Sequence, residues 1–193
     1  MPAIFHNLKR AHYGAILADP PWRFRLWSGA TAIRSSRTRD SNAIHYKTLA
    51  LDELRALPVT DLAADDCALF LWATWPNLLD AFSVIDAWGF EYKTCAFAWT
   101  KLSRSGQRLH FGMGYWTRAN TEPCLLATRG SPTRLARDVP QVILRPVAKH
   151  SAKPAIVRER IMRLVPGPYL ELFARERTKG WSVWGNELRG SRD

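Results

Sequence analysis

Apolar positions in this chain fall into short blocks of two different kinds. Runs over 13–19, 67–74, 90–99, 123–129, 141–144 and 169–174 are nearly continuous in apolar or β-branched residues and are bounded by Pro, Gly or charged positions. Blocks of that length and flanking predict buried strands. Between several of them the spacing widens to a helical period. "LDELRAL" at 51–57 is one such stretch, and "PNLLDAFSVIDAWG" at 76–89 is a second, with Pro76 at a first helical position and Gly89 as a stop. The third is "SAKPAIVRERIMRLVPG" at 151–167, where Ile156, Ile161, Leu164 and Val165 form the apolar stripe behind a Ser151 start and Pro154. Strands alternating with helices predict an α/β fold with a mainly parallel sheet. No repeat or low-complexity linker interrupts the pattern, so a single domain over 1–193 is expected, long enough for a substantial core.

Two segments fit neither period, roughly 23–47 and 101–121. The first carries Arg23, Arg25, Arg34, Arg37, Arg39 and Lys47 against Asp40; the second carries Lys101, Arg104, Arg108 and Arg118. Long irregular loops in compact domains usually serve function. In open α/β sheets, ligands bind at the carboxyl ends of strands, where such loops lie. The whole chain has a formal net charge of +11. Basic loops beside a crevice, on a basic protein, predict a polyanionic partner, and nucleic acid fits best.

Other chemistry drops out. Cys67, Cys95 and Cys124 form no C-x-x-C pair and are odd in number, which predicts free thiols in a reducing compartment. The five histidines show no metal-ligand spacing, so no metal is expected. "MPAIFHNLKRAHY" lacks the apolar core of a signal peptide, and no apolar run approaches a membrane span. The expectation is a soluble, cytoplasmic protein without membrane contact.

The sharpest local feature is "AILADPPW" at 15–22, where a buried strand ends in an acid, two prolines and an indole. One reading is a strand closed by a Pro-Pro turn, with Trp22 filling the core. The other is a site for an aromatic amine, whose lone pair is delocalised into its ring. Asp19 and a proline carbonyl can each accept one of the amine's N–H bonds, which frees the lone pair and stabilises positive charge developing on attack. Proline fixes φ and removes a competing donor. Trp22 offers a face on which a base can stack.

The motif resembles the signature of the MT-A70 family of adenine-N6 methyltransferases, particularly its short bacterial and phage members. The resemblance continues in order through "HYKTL" at 45–49, "ALFLWAT" at 68–74, "WGFEY" at 88–92 and "GMGYWTR" at 112–118. It extends over "EPCLLATRG" at 122–130, "HSAKP" at 150–154, "PGPYLELFAR" at 166–175 and "GWSVWGNE" at 180–187. It implies a Rossmann-like class I fold using S-adenosylmethionine, with permuted motif order: catalytic strand first, cofactor strand near the end. Asp19, Pro20, Pro21 and Trp22 would then be catalytic. Tyr46, Trp116, Glu122 and Lys153 would face the target base. Asp19, Lys153, Glu171, Phe173, Arg175, Asn186 and Glu187 would face the cofactor, the last suited to a ribose diol.

The chain departs from the family pattern in two places. Only eighteen residues precede Asp19, so an upstream contact to the cofactor's adenine falls to "AIFHN" or is absent. An asparagine-histidine pair before Glu122 is replaced by Ala119-Asn120-Thr121. The Gly112 and Gly114 pair follows no clear strand and is not a phosphate cradle. The implied activity is methylation of the adenine amino group in nucleic acid, with DNA favoured over RNA. A non-catalytic nucleic-acid-binding subunit is the alternative from another class, and a homodimer or partner subunit is compatible with either.

Overall fold

The first predicted strand explains the architecture. In β1 (Tyr13–Ala18), Ala15, Ile16 and Ala18 are wholly excluded from solvent, so the strand has to be covered on both faces. It lies parallel between β2 (Ala63–Trp72) and β6 (Tyr169–Leu172). β3 (Glu91–Leu102), β4 (Thr121–Arg129), β5 (Val142–Pro146) and β7 (Trp181–Trp184) complete a seven-stranded sheet of order β5-β3-β4-β2-β1-β6-β7. β4 runs antiparallel to both its neighbours, and every other ladder is parallel. The α/β class and the mainly parallel sheet are therefore as expected. This computed structural model describes residues 4–23, 48–112, 114, 116–148, 152–186 and 188.

Strand alternation sends successive side chains to opposite faces and divides the core in two. Ile16, Ala18, Leu69, Leu71, Leu170 and Leu172 pack on the side of α1 (Leu51–Arg55) and α2 (Leu78–Ala87). Ala15, Leu17, Ala68, Phe70 and Trp72 pack with Val157 and Ile161 of α3 (Ile156–Leu164) on the other side. The result is a sheet sandwiched between helices. α2 buries Ala81, Val84 and Ile85, a one-face helical spacing, and ends as predicted at Gly89. There φ is +78°, and the Phe90 N–H reaches back to the Ile85 carbonyl at 3.1 Å, closing the last turn with the residue type that adopts this conformation without strain.

Three details differ from expectation. β7 was not foreseen as a strand, because a short, half-exposed edge strand has little apolar run to announce it. β3 continues to Leu102, and Ser103 and Arg108 then pair through a backbone bond of 2.7 Å, so the segment at 101–121 opens as a tight hairpin rather than a loose loop. α3 starts at Ile156, later than predicted; its first bonds run to the carbonyls of Pro154 and Ala155. The basic stretch beyond Arg23, as far as Lys47, lies outside the described residues, as does Ser151. Cys67, Cys95 and Cys124 are free thiols, and burial pushes that of Cys67 up to about 12. Among the described residues no helix is long and apolar enough to cross a membrane.

Candidate active site

Asp19 is the first residue beyond the carboxyl end of β1, the central strand of the parallel half of the sheet. The Pro-Pro step turns the chain sharply there. The Pro20 carbonyl accepts the Trp22 N–H at 2.8 Å, and the Pro21 carbonyl accepts the Leu49 N–H at 3.3 Å. Trp22 is only 7% exposed, and its indole N–H donates to the Trp72 carbonyl at 2.9 Å. This corrects the expectation of a stacking face. The indole is a core residue that staples the exit of β1 to the end of β2, and through that staple it holds Asp19 and Pro20 in place.

Asp19 meets a cation from the far end of the sequence. Lys153, on the segment leading into α3, donates to Asp19 Oδ1 at 2.7 Å and to Glu122 Oε1 at 2.9 Å. Glu122, near the start of β4, is also held by Lys101 of β3 at 2.7 Å. The chain Asp19–Lys153–Glu122–Lys101 thus alternates in sign, and its two inner members are largely withdrawn from water. Lys153 and Lys101 additionally lie over aromatic faces, 5.5 Å from the Trp72 ring and 5.1 Å from the Trp99 ring.

The two carboxylates are not equivalent. Burial pushes the Asp19 carboxyl above the ordinary aspartate value; Lys153 opposes this, and the neighbouring Glu122 charge adds to it. Burial acts on Glu122 in the same sense, but the ammonium groups of Lys153 and Lys101 outweigh it and hold Glu122 below its usual value. Burial alone would discharge Lys153, yet Asp19 and Glu122 overcome it and raise its affinity for the proton. The two neighbouring carboxyls are thus displaced in opposite senses from their ordinary values, the kind of perturbation that clusters at functional sites.

A cleft opens beside this chain of charges, lined by Asp19, Trp72, Lys153, Phe173 and Arg175 together with residues of α3. Glu171 of β6 also faces it, but both its oxygens are engaged by Arg158 of α3, at 2.7 and 3.0 Å, while the same guanidinium reaches Glu176 at 3.1 Å. Phe173 takes a φ of +62° just past β6 and packs edge-on against Trp184, 5.5 Å between centroids. Phe5 of "AIFHN" also packs edge-on against Trp184, 5.0 Å between centroids. The N-terminal stretch thus borders the β6–β7 end of the sheet.

Of the residues expected from sequence, Asp19, Glu122 and Lys153 converge directly, and Glu171, Phe173 and Arg175 share their cleft. Asn186 is exposed just beyond β7, and Trp116 is 84% exposed on the surface with φ of +68°. Tyr46 and Glu187 lie outside the described residues. Sequence reasoning missed Lys101, counted there as a loop cation, and Arg158, hidden in an amphipathic helix. Trp72, buried at the end of β2, is also part of the wall of the cleft.

Comparison with known proteins places the chain in a family. The MT-A70 family model matches residues 13–187, which takes in β1 through β7 and every member of the charge chain. The chain belongs to the MT-A70 family. Type II methyltransferase M.MunI of Mycoplasma sp is 37% identical, the match covering 96% of this chain and 82% of that protein. The N(6)-adenosine-methyltransferase MT-A70-like protein of Drosophila melanogaster is 31% identical over 93% of this chain but only 28% of its own length. N(6)-adenine-specific methyltransferase METTL4 of Mus musculus is 28% identical over 91% of this chain and 37% of its own length. This MT-A70 member is an adenine-N6 methyltransferase.

Proposed function

We propose that this protein is a single methyltransferase domain that modifies the exocyclic amino group of adenine in DNA, using S-adenosylmethionine. The observation that carries the reading is Asp19 at the mouth of β1, partly buried, raised in proton affinity and backed by Lys153. DNA is favoured by the match to M.MunI over most of both chains and by the net charge of +11. Relatives named for adenosine support RNA as the second reading, though this chain spans only about a quarter of their length.

The cleft suits the methyl donor on the chemistry of its walls. Lys153 and Arg175 provide cations for a carboxylate, and Phe173 provides an apolar surface beside them. The Trp72 indole N–H is buried with no acceptor among the described residues, a donor in the same wall. When bound, S-adenosylmethionine supplies a methyl group on a positively charged sulfur, open to direct attack by nitrogen. The protein's part is to make the amine a nucleophile. Lys153 occupies Asp19 Oδ1, which leaves Oδ2 to accept one amino N–H. The Pro20 carbonyl, with one lone pair on the Trp22 N–H, has a second for the other. Two acceptors in fixed places favour a pyramidal nitrogen and stabilise its growing positive charge. The raised proton affinity of Asp19 then suits it to take the proton that the nitrogen sheds. An adenine in duplex DNA has to leave the stack to reach this position.

Incubation with labelled S-adenosylmethionine and either DNA or RNA, followed by nucleoside mass spectrometry, tests the reading. N6-methyl-2′-deoxyadenosine is the expected product. Label confined to protein, or to a base other than adenine, overturns it, and N6-methyladenosine from RNA alone selects the second reading.

Arg104 and Arg108 are exposed on the hairpin that follows β3. Arg104→Ala and Arg108→Ala should weaken polymer binding while leaving cofactor affinity unchanged. Each lost phosphate contact should flatten the dependence of log K on log salt by about 0.7–0.9. An unchanged slope in both variants removes this hairpin from the nucleic-acid interface.

A further inference from the structure

Trp75 is an indole that the catalytic cleft does not use. It follows β2, is 53% exposed, and belongs to the one-turn 3₁₀ segment Trp75–Asn77. An exposed tryptophan normally samples several orientations; this one is fixed. Its Nε1–H donates to the Thr121 hydroxyl at 2.9 Å, Pro76 restricts the backbone beside it, and the Thr74 hydroxyl closes the turn on Asn77 Oδ1 at 2.7 Å. Asn77 itself is buried, and its amide donates to the Arg23 carbonyl at 3.2 Å.

These bonds locate the ring. Thr121 immediately precedes Glu122 of the charge chain, and Arg23 immediately follows Asp19-Pro20-Pro21-Trp22. Behind Trp75, the Ala73 N–H is bonded to the Pro123 carbonyl at 3.0 Å, on the far side of Glu122. Trp75 is therefore tied to the segment that carries Glu122 directly, and through Asn77 to the segment that carries Asp19, while it does not itself line the cleft. A rigid, half-exposed aromatic beside a pocket that takes a base out of its stack is suited to cover the base left behind, because it restores a π-face at no cost in side-chain ordering.

We infer that Trp75 is a stacking platform for the nucleobase adjacent to the target adenine. The inference rests on the proposed function, in that the ligand is a nucleic acid whose target base enters the Asp19 cleft. The contact is uncharged and indifferent to base identity, since every base offers a π-face. Trp75 thus supplies affinity and register without sequence preference, and the hydrogen bond to Thr121 serves to aim the ring.

The test uses the full chain and an oligonucleotide with 2-aminopurine next to a single adenine. Wild type should quench the 2-aminopurine on binding. Trp75→Ala should abolish that quench and raise KM for the oligonucleotide roughly 5- to 150-fold. The kcat at saturation, the affinity for S-adenosylmethionine and the salt slope should stay at wild-type values. Trp75→Phe keeps a π-face but cannot donate to Thr121, and it should recover most of the binding. If Trp75 merely braces the turn, Trp75→Phe and Thr121→Val will both be as impaired as Trp75→Ala, and the inference fails. It fails equally if Trp75→Ala binds and quenches like wild type, which leaves the ring to a protein partner. Failure of the underlying reading looks different: wild type then methylates no adenine, whatever Trp75 does to the quench.

Discussion

Asp19→Asn loses roughly two orders of magnitude or more in kcat, and its melting temperature does not fall. The two halves of this result have one cause. Asn is nearly the same shape, but it lacks the charge that stabilises the positive nitrogen and cannot accept the departing proton. The same charge is a burden on the folded chain, because burial raises the Asp19 carboxyl above its ordinary value. A carboxyl raised on folding binds its proton more tightly in the native state, so the native state gains stability as pH falls. At neutral pH wild type carries the full penalty, and Asn removes it, while Lys153 keeps Glu122 at 2.9 Å. Activity assays and thermal melts on one preparation check both halves. Near-wild-type turnover refutes the catalytic role, and a large loss of stability refutes the electrostatic account. The acid limb of the wild-type pH–rate profile should also lie above the ordinary aspartate range, because protonated Asp19 can accept neither the N–H bond nor the proton.

Lys153→Ala should be damaging in both respects. Asp19 and Glu122 would face each other across a space from which their shared counter-ion has gone. Removing one partner of a buried ion pair costs about 3–5 kcal/mol, because the remaining charge is left uncompensated. The sign of the pH dependence follows from the shifts. Lys153 is raised in the folded state, so its contribution is complete at neutral pH and is lost only as pH climbs through that raised value. Glu122 is lowered, so its contribution holds above its ordinary value and disappears as pH falls through the lowered one. Urea unfolding should therefore separate the variant from wild type most clearly near neutral pH. The two should converge in acid, where both carboxylates are protonated and the missing cation no longer matters. In the variant the acid limb of activity should move to higher pH, since the main influence opposing the burial of Asp19 is removed. An unchanged acid limb with normal stability would mean that Lys153 is an onlooker.

Much of this molecule was legible in its amino-acid pattern, and the limits of that legibility have physical reasons. β1 was readable because a strand buried on both faces must be continuously apolar, and its end because Pro-Pro cannot continue a ladder. The reading of α2 succeeded for a similar reason: Ala81, Val84 and Ile85 repeat at the helical period, and Gly89 is a residue that can close the turn. The convergence of Asp19, Glu122 and Lys153 had no such local signal. It depends on sheet order, and only the family resemblance placed those residues together. Arg158 was missed because a charge in an amphipathic helix normally faces water. A clue was nonetheless present in "LELF": alternation puts Glu171 opposite Leu170 and Leu172, on a covered face, where a carboxylate needs a partner. For Trp22 the opposite lesson holds. An aromatic beside a catalytic acid invites a substrate role, yet its hydrogen bond to the Trp72 carbonyl shows that it supports the backbone.

The order of the strands has a consequence for how the enzyme comes into being. β1 is made early, but its partner β6 follows only after β2, β3, β4 and β5. Lys153 is separated from Asp19 by 134 positions. A nascent chain leaving the ribosome can pair β1 with β2 on one side while the other edge, destined for β6, stays bare. Such an edge is a hazard for aggregation, and it gives chaperones something to hold. During that interval Asp19 has neither its ammonium partner nor the wall of the cleft that β6 provides. The parts of the site are thus spread along the order of synthesis, and Asp19 is complete only once β6 has paired with β1 and Lys153 has reached it.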